Sequence, residues 1–230
     1  MMREWLRRLT RRGYAGPSYQ GLLGKLRFAW EESVWHEEIV WYATPGTWSA
    51  VAAPSLAGLE LHAIQGPEAM DDVRGVFERE YYAGCLDEWA RYFSWGERVV
   101  LARRSGQPVG FNWYQLGTQE GFQTFYGALF EDDGRVCRGG VFPSMRQQGI
   151  NTKMKWLLLK RLFDGGVRRV YADCSRGNVA SVRALAHAGF RPFGMLGTAS
   201  IGGRVYVRWK PVTPVLEELR LQGVLPPGRE

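Results

Sequence analysis

The segment Val141-Phe-Pro-Ser-Met-Arg-Gln-Gln-Gly-Ile-Asn151 joins a stretch typical of a β-strand to the clearest helical pattern in the chain, residues 146–163. Apolar side chains recur at helical spacing in that pattern, namely Ile150, Met154, Leu157, Leu158 and Leu162. A strand-to-helix turn exposes backbone N–H groups that lack intrahelical acceptors, and the helix dipole adds partial positive charge there. Gly149 lets a ligand approach the backbone because it has no Cβ atom. The turn therefore predicts a site for an anion such as phosphate, with an ordinary glycine-containing helix start as the alternative.

Strands and helices continue on both sides of this turn. Before it, the pattern predicts strands over 38–42, 59–64, 99–103, 109–116, 122–130 and 135–142, and helices over 3–12, 19–33, 68–80 and 85–95. After it come a strand over 167–174, a helix over 178–188 and strands over 190–198 and 203–210. A strand–helix–strand order requires parallel pairing, whereas short turns join antiparallel strands. We therefore predict a mixed α/β fold, with a mostly antiparallel sheet, one parallel strand pair and flanking helices.

A second segment, Cys174-Ser-Arg-Gly-Asn178-Val-Ala-Ser181, leaves the 167–174 strand and enters the next helix. Together, V-x-P-x-x-R-x-x-G-I at 141–150 and N-x-x-S-x-x-x-x-x-x-A-G-F at 178–190 resemble the two central motifs of the GNAT acetyltransferase superfamily. The resemblance extends more loosely over about 59–210. It implies the GNAT fold with a splayed parallel strand pair, acetyl-CoA as cofactor and N-acetyltransferase activity.

The resemblance also implies which residues bind coenzyme A. The loop that binds the pyrophosphate in the family matches Arg146, Gln147, Gln148, Gly149, Ile150 and Asn151. Asn151 departs from the family pattern, which has a small residue there; its N–H remains, while its side chain crowds the loop or adds a contact. Val141 matches the strand position whose backbone pairs with pantetheine, and Asn178 matches an asparagine that contacts the cofactor arm. For Asn178, a plain helix N-cap is the alternative.

The implied mechanism is direct attack of an amine on the thioester carbonyl in a ternary complex. The Val141 N–H would stabilise the oxyanion, and a base or a chain of water molecules would take the amine proton. Asp173 is the candidate base; the alternative is that its carboxylate only caps the loop that follows the strand. The family often supplies an acid for the leaving thiolate from a tyrosine seven residues after the asparagine, but this chain has Leu185 there.

In the family, the region of residues 68–95 borders the acceptor site. It holds aromatic residues, mostly expected in the core, that can stack on a sugar or surround an ammonium: Tyr81, Tyr82, Trp89, Tyr92, Phe93 and Trp95. Asp87 and Glu88 are candidates to attract a cationic amine, with exposed helix charge as the alternative. The predicted acceptor is a primary amine of a small molecule or amino sugar. Two other functions stay open: an acyl-CoA-binding or regulatory module without turnover, and a transferase linked to RNA or aminoacyl-tRNA.

The distribution of charge along the chain indicates the domain boundary and whether nucleic acid is a partner. The chain of 230 residues has a formal net charge of +7, and its first 30 residues hold seven basic side chains against one acidic. The basic excess therefore belongs to an N-terminal extension, predicted as residues 1–58, and the acetyltransferase-like domain is predicted as 59–230. The body is nearly neutral, so nucleic acid is not an expected partner. A homo-oligomer is left open.

Neither a metal site nor a membrane span is expected. The three cysteines, Cys85, Cys137 and Cys174, are widely spaced, and the histidines form neither HExxH nor a cluster with them. This cysteine usage fits a reducing compartment and predicts a cytoplasmic protein. The uncharged run over 39–59 contains prolines and glycines that a spanning helix of about 20 apolar residues would not favour.

Overall fold

A computed structural model describes residues 35–64, 66, 69–70, 73–80, 85–117, 132–201, 204–211, 217 and 220–221. The strands of the described chain are β1 (Trp35–Ala43), β2 (Leu59–Ile64), β3 (Arg98–Arg104), β4 (Gln107–Leu116), β5 (Asp133–Val141), β6 (Arg169–Ser175), β7 (Arg191–Ile201) and β8 (Arg204–Lys210). Its α-helices are α1 (Pro45–Ser49), α2 (Arg74–Glu80), α3 (Cys85–Ser94), α4 (Ile150–Asp164) and α5 (Val179–His187). The predicted helices over 3–12 and 19–33 and the strand over 122–130 lie outside the described residues.

The described residues form two compact units, of which the larger comprises the described parts of 42–172 and 187–191. Its strands lie in the order β2-β3-β4-β5-β6, antiparallel from β2 to β5, with β5 and β6 parallel. The predicted mixed α/β fold, with a mostly antiparallel sheet and one parallel strand pair, is therefore confirmed.

The parallel pair in this unit is short. It runs from Asp133 opposite Arg169 to Val136 opposite Ala172, whereas β5 continues to Val141. The buried Asp133 carboxylate accepts hydrogen bonds of 2.9 and 3.2 Å from the Arg169 guanidinium, which joins the two strands where they begin.

Helices cover both faces of the sheet in the larger unit. On one face, α2 and α3 pack on β3 and β4 through a buried aromatic core of Phe77, Trp89, Phe111, Trp113 and Phe142. Successive strand residues point to opposite faces. Accordingly, Gly110, next to Phe111, faces Met154 of α4. The α4 helix therefore covers the opposite face, with Val141, Ile150 and Met154 in its core.

The smaller unit comprises the described parts of 1–41, 173–186 and 192–230. Its strands lie in the order β1-β7-β8, and β7 pairs antiparallel with β8. Glu37 of β1 accepts hydrogen bonds from Arg176 (3.4 Å) and from the Lys210 ammonium. The division into an extension of residues 1–58 and a domain of 59–230 stays a prediction.

Two local predictions are wrong. The sequence predicts a loop-rich connector from Pro45, Gly46, Pro54 and Gly58. This segment instead contains α1, because Thr44 and Thr47 form a reciprocal capping box that satisfies N–H groups at the helix start. The helix expected from residue 146 begins at Ile150, because Gln147 and Gly149 have φ angles of +64° and +70°, in the left-handed region. These residues instead form a loop that precedes the helix.

No helix within the described residues is long and apolar enough to cross a membrane. The same residues contain no group of three or more histidine, cysteine or acidic side chains placed to hold a metal ion.

Candidate functional site

The end of β5 directs backbone groups away from β4. The Phe142 N–H donates to the Val109 carbonyl over 3.0 Å, and Val141 lies opposite Gly110. In an antiparallel ladder, a bond in this position means that the neighbouring pair, Val141 and Gly110, exchanges no hydrogen bonds of its own. The N–H and C=O of Val141 therefore point to the other edge of β5, in the part of the strand that extends past the four parallel pairs with β6.

Gly139 has the same orientation, because it lies opposite Asn112, two positions further along the ladder. A Cβ atom on Gly139 would lie 2.8 Å from the Phe111 carbonyl oxygen and would meet the Asn112 side chain, so only glycine fits there. Sequence reasoning did not single out Gly139. The Gly139-Gly140 pair inside a strand pattern was the available signal, since such glycines often mark a close backbone approach.

The loop from β5 to α4 presents further backbone donors. The first intrahelical bond of α4 runs from the Lys153 N–H to the Gly149 carbonyl over 3.2 Å. The N–H groups of residues 150–152 thus have no acceptor within the helix. Gly149 is the N-cap, with no side chain to cap them, and the first turn of α4 carries no acidic residue. This arrangement suits an anion.

The predicted loop residues have different surroundings. Gln147, Gln148 and Gly149 are exposed, and Arg146 is half-buried. Ile150 is a core residue, packed with Met154. The side-chain Oδ1 of Asn151 is buried and has no hydrogen-bond partner among the described residues. The residue as a whole is half-buried, so only part of its side chain is covered by the protein.

A residue outside the predicted loop brings positive charge to it. Arg104, at the end of β3, donates a hydrogen bond of 2.8 Å from its guanidinium to Oε1 of Gln148. This contact spans 44 residues of sequence, so nothing in the local motif could have indicated it.

Asn178, Asp173 and Leu185 belong to the smaller unit. The Asn178 Oδ1 accepts the Ser181 N–H over 3.1 Å, and its carbonyl accepts the Val182 N–H. Asn178 is therefore a helix N-cap, and its Nδ2 is the side-chain group left for a ligand. Asp173 is half-buried on β6, and Leu185 is only 1% exposed. A leucine side chain cannot supply the proton that tyrosine supplies elsewhere in the family.

Cys137 of β5 is not an activated thiol. Burial, and then the negative charge of Glu97, raise its pKa to about 12. The thiol therefore stays protonated at neutral pH and behaves as a small hydrophobic group rather than a nucleophile.

Comparisons with known proteins identify the class to which this fold and site belong. The sequence model of the acetyltransferase (GNAT) family matches residues 68–190, more than half of the chain. The chain belongs to this family. The predicted GNAT membership is thus confirmed, and acetyl-CoA is the cofactor that goes with it. No curated protein matches the chain.

Solved structures show the same fold at low identity. A GCN5-related N-acetyltransferase from Sphaerobacter thermophilus is 16% identical with a TM-score of 0.52, over 83% of this chain and 57% of that one. A GNAT-family acetyltransferase from Colwellia psychrerythraea is 16% identical with a TM-score of 0.50, over 80% and 60%. The present chain thus spans about 60% of the length of these proteins.

Proposed function

We propose that the protein transfers an acetyl group from acetyl-CoA to a primary amine of a small molecule, by direct attack in a ternary complex. The observation that carries this proposal is the orientation of Gly139 and Val141, whose N–H groups point away from β4 immediately before the N–H-rich start of α4. A strand edge and a helix start of this kind suit an extended arm that ends in phosphates.

The loop residues are proposed to hold the cofactor phosphates. The N–H groups of Gly149, Ile150 and Asn151 and the dipole of α4 attract the anion. Gln147, in its left-handed conformation, turns the backbone toward the same ligand, as successive N–H groups in such turns form a concave anion site. Arg104 adds a guanidinium that lies against Gln148.

Asn178, from the second motif, is also proposed to contact the cofactor. The Nδ2 group of Asn178 is proposed as a donor to the cofactor arm, because its Oδ1 already caps α5. Acetyl-CoA supplies an activated acetyl thioester when bound.

Backbone groups of β5 are proposed to assist the chemistry. The N–H group of Val141 stabilises negative charge that develops on the carbonyl oxygen, and it is fixed before reaction because β4 holds the strand. The amine must first lose its proton, for which Asp173 is the proposed acceptor, directly or through water.

The departing thiolate has no proposed acid in this chain. Leu185 is buried at the position where the family often has a tyrosine. This observation favours the second candidate, a CoA-binding module without turnover. If the chain is an enzyme, the thiolate leaves unassisted or takes its proton from solvent.

Release of free thiol from acetyl-CoA across a panel of primary amines distinguishes the two candidates. We expect amine-dependent release, with the acetylated amine formed in equal amount. CoA binding without release on any amine would contradict the enzyme and support the module.

A further inference from the structure

A group of charged and aromatic side chains lies near the proposed reaction site along β5. None of these residues belongs to the two motifs, and the proposed acetyl transfer gives them no role. It comprises Arg91 and Tyr92 in the last turn of α3, Trp95 just after that helix, Glu97 before β3, and Arg138 of β5; we call it the basic-aromatic cluster. We propose that it binds an acidic group of the acceptor, so that the substrate is a primary amine that also carries a carboxylate or phosphate. The inference rests on the proposed acetyl transfer and names the substrate class for it.

Arg138 is held in one orientation. Its guanidinium carbon lies 4.1 Å from the centre of the Tyr92 ring, and its Nη1 donates to both carboxylate oxygens of Glu97 over 2.5 Å. Burial acts against the charge of Arg138, but the hydrogen bond and charge of Glu97 prevail and raise the pKa of Arg138. The side chain remains 43% exposed, so part of a fixed guanidinium faces solvent.

The exposed part of the cluster is cationic. The Glu97 side chain is only 4% exposed, so its negative charge is covered and already paired with Arg138. The guanidinium carbon of Arg91 lies 5.1 Å from the Trp95 ring centre, and the residue is exposed. Among the side chains that the structure describes here, two guanidinium groups and one buried carboxylate sum to a net positive charge. It would repel an ammonium group and attract an anion.

Trp95 adds an apolar contact to this surface. It is 51% exposed, and its ring stands next to both guanidinium groups, 6.0 Å from that of Arg138. A guanidinium offers paired N–H donors that match carboxylate and phosphate oxygens. An acidic group with a short carbon chain would therefore find donors for its oxygens and an aromatic face for its methylene groups.

The strand β5 connects this cluster to the proposed reaction site. The register between β4 and β5 shifts between Asn112 and Tyr114, which places an extra residue at Cys137 or Arg138. Such a bulge redirects a strand side chain. Arg138 precedes Gly139 directly and Val141 by three residues, roughly 10 Å at about 3.3 Å per residue. One small acceptor can therefore reach both places.

The reaction itself is ordinary amide formation. The amine N–C bond forms and the thioester C–S bond breaks, while one proton leaves the amine nitrogen and one joins the thiolate sulfur. The cluster takes no part in these bond changes and acts on acceptor binding alone. The predicted attraction of a cationic amine by Asp87 and Glu88 would act on the amine end, and those side chains lie outside the described residues.

Matched acceptor pairs test the inference. Thiol release is measured with ω-aminohexanoic acid against its methyl ester, and with aminoethyl phosphate against ethanolamine. We expect kcat/KM to be at least about tenfold higher for one or both acids, because a hydrogen bond to a charged group contributes at least about a factor of ten in binding. The two pairs distinguish a carboxylate from a phosphate as the group recognised.

Variants of the cluster residues test whether the cluster causes the preference for acidic acceptors. Arg91→Gln should reduce the preference mainly through KM, and Arg138→Lys, which keeps a cation for Glu97, should reduce it further by removing the fixed guanidinium. Arg161→Gln, an exposed position on α4, makes the same charge change as Arg91→Gln and should leave the preference intact. Acids and neutral amines used equally well, or an acid preference unchanged in both cluster variants, would overturn the inference while acetyl transfer stands.

Calorimetry on the CoA-loaded protein separates failure of the inference from failure of the proposed function. Binding of an acid that weakens about tenfold in Arg91→Gln supports the cluster even if no amine is acetylated. Turnover on neutral amines with no binding of either acid overturns the inference alone. Absence of both turnover and acid binding overturns both.

Discussion

The Nε–H of Arg146 donates a hydrogen bond to the carbonyl oxygen of Val141 over 3.3 Å. This carbonyl belongs to the edge of β5 that points away from β4, and Arg146 begins the loop that leads into α4. The contact thereby joins the strand end proposed to face the acetyl group to the loop proposed to bind phosphate. Arg146 is thus a positioning residue for the proposed cofactor site, in addition to the charge it brings to an anion.

Arg146→Gln and Arg146→Lys should separate these two contributions. Lysine keeps the charge but loses the planar guanidinium, whereas glutamine loses both charge and geometry. We expect calorimetric CoA affinity to fall about tenfold in the glutamine variant and less in the lysine variant, in line with a charged hydrogen bond of about 1.5–3 kcal/mol. Equal affinity in the wild type and both variants would exclude a role for this side chain.

Gly149→Leu should abolish CoA binding while the fold persists. A Cβ atom at Gly149 would meet nothing within 4 Å, so a leucine side chain there begins in open space, where the proposed phosphate would lie. Its φ of +70° adds backbone strain, for which a control is needed.

Gly166, just after the other end of α4, provides that control. Its φ is +90°, and a Cβ atom there also meets nothing within 4 Å. Gly166→Leu should lower the melting temperature about as much as Gly149→Leu but leave CoA affinity intact. Loss of CoA binding in both variants would indicate that strain, rather than the loop, is responsible.

The sequence predicted the architecture well where short-range patterns determine it. Apolar periodicity predicted α4, and the strand–helix–strand order predicted the parallel pairing of β5 with β6. The start of α4 was misplaced because Gln147 adopts a left-handed conformation that its residue type does not favour.

The parts of the site that depend on distant contacts could not be predicted. Arg104 at the end of β3 donates a hydrogen bond to Gln148 in the loop before α4. Arg138 of β5 donates to Glu97, which is 41 residues away in the sequence. No spacing rule encodes such pairs, because they arise from the register of β3, β4 and β5. Gly139 could be predicted only in part. The glycine itself can be read from the sequence, but the side chain that requires a glycine there, Asn112, lies on another strand.

Asn151→Ala should stabilise the protein and retain CoA binding. The buried Oδ1 of Asn151 has no partner among the described residues, so alanine removes an unsatisfied acceptor, and alanine also favours the helix by about 0.5 kcal/mol. We expect the free energy of unfolding in urea to rise by about 1 kcal/mol. The loop keeps the same N–H group, so CoA affinity should not change. A large loss of affinity would instead assign the amide side chain to the cofactor.

Cys137 should make the protein less stable as the pH rises above about 9. Its pKa is about 12 in the folded protein against a reference value of 9.0, so between these values the unfolded chain releases a proton that the folded chain retains. Stability therefore falls with increasing pH in this window, by at most about 1.4 kcal/mol per pH unit from this one group.

The measurement is the free energy of unfolding at pH 8, 9 and about 10 in the wild type and in Cys137→Ala, with a reductant present throughout. Alanine has no proton to lose, so the variant should be less stable at pH 8 because of the lost side chain, and the difference should narrow as the pH rises. Parallel curves for the two proteins would show that Cys137 does not titrate differently in the folded and unfolded states.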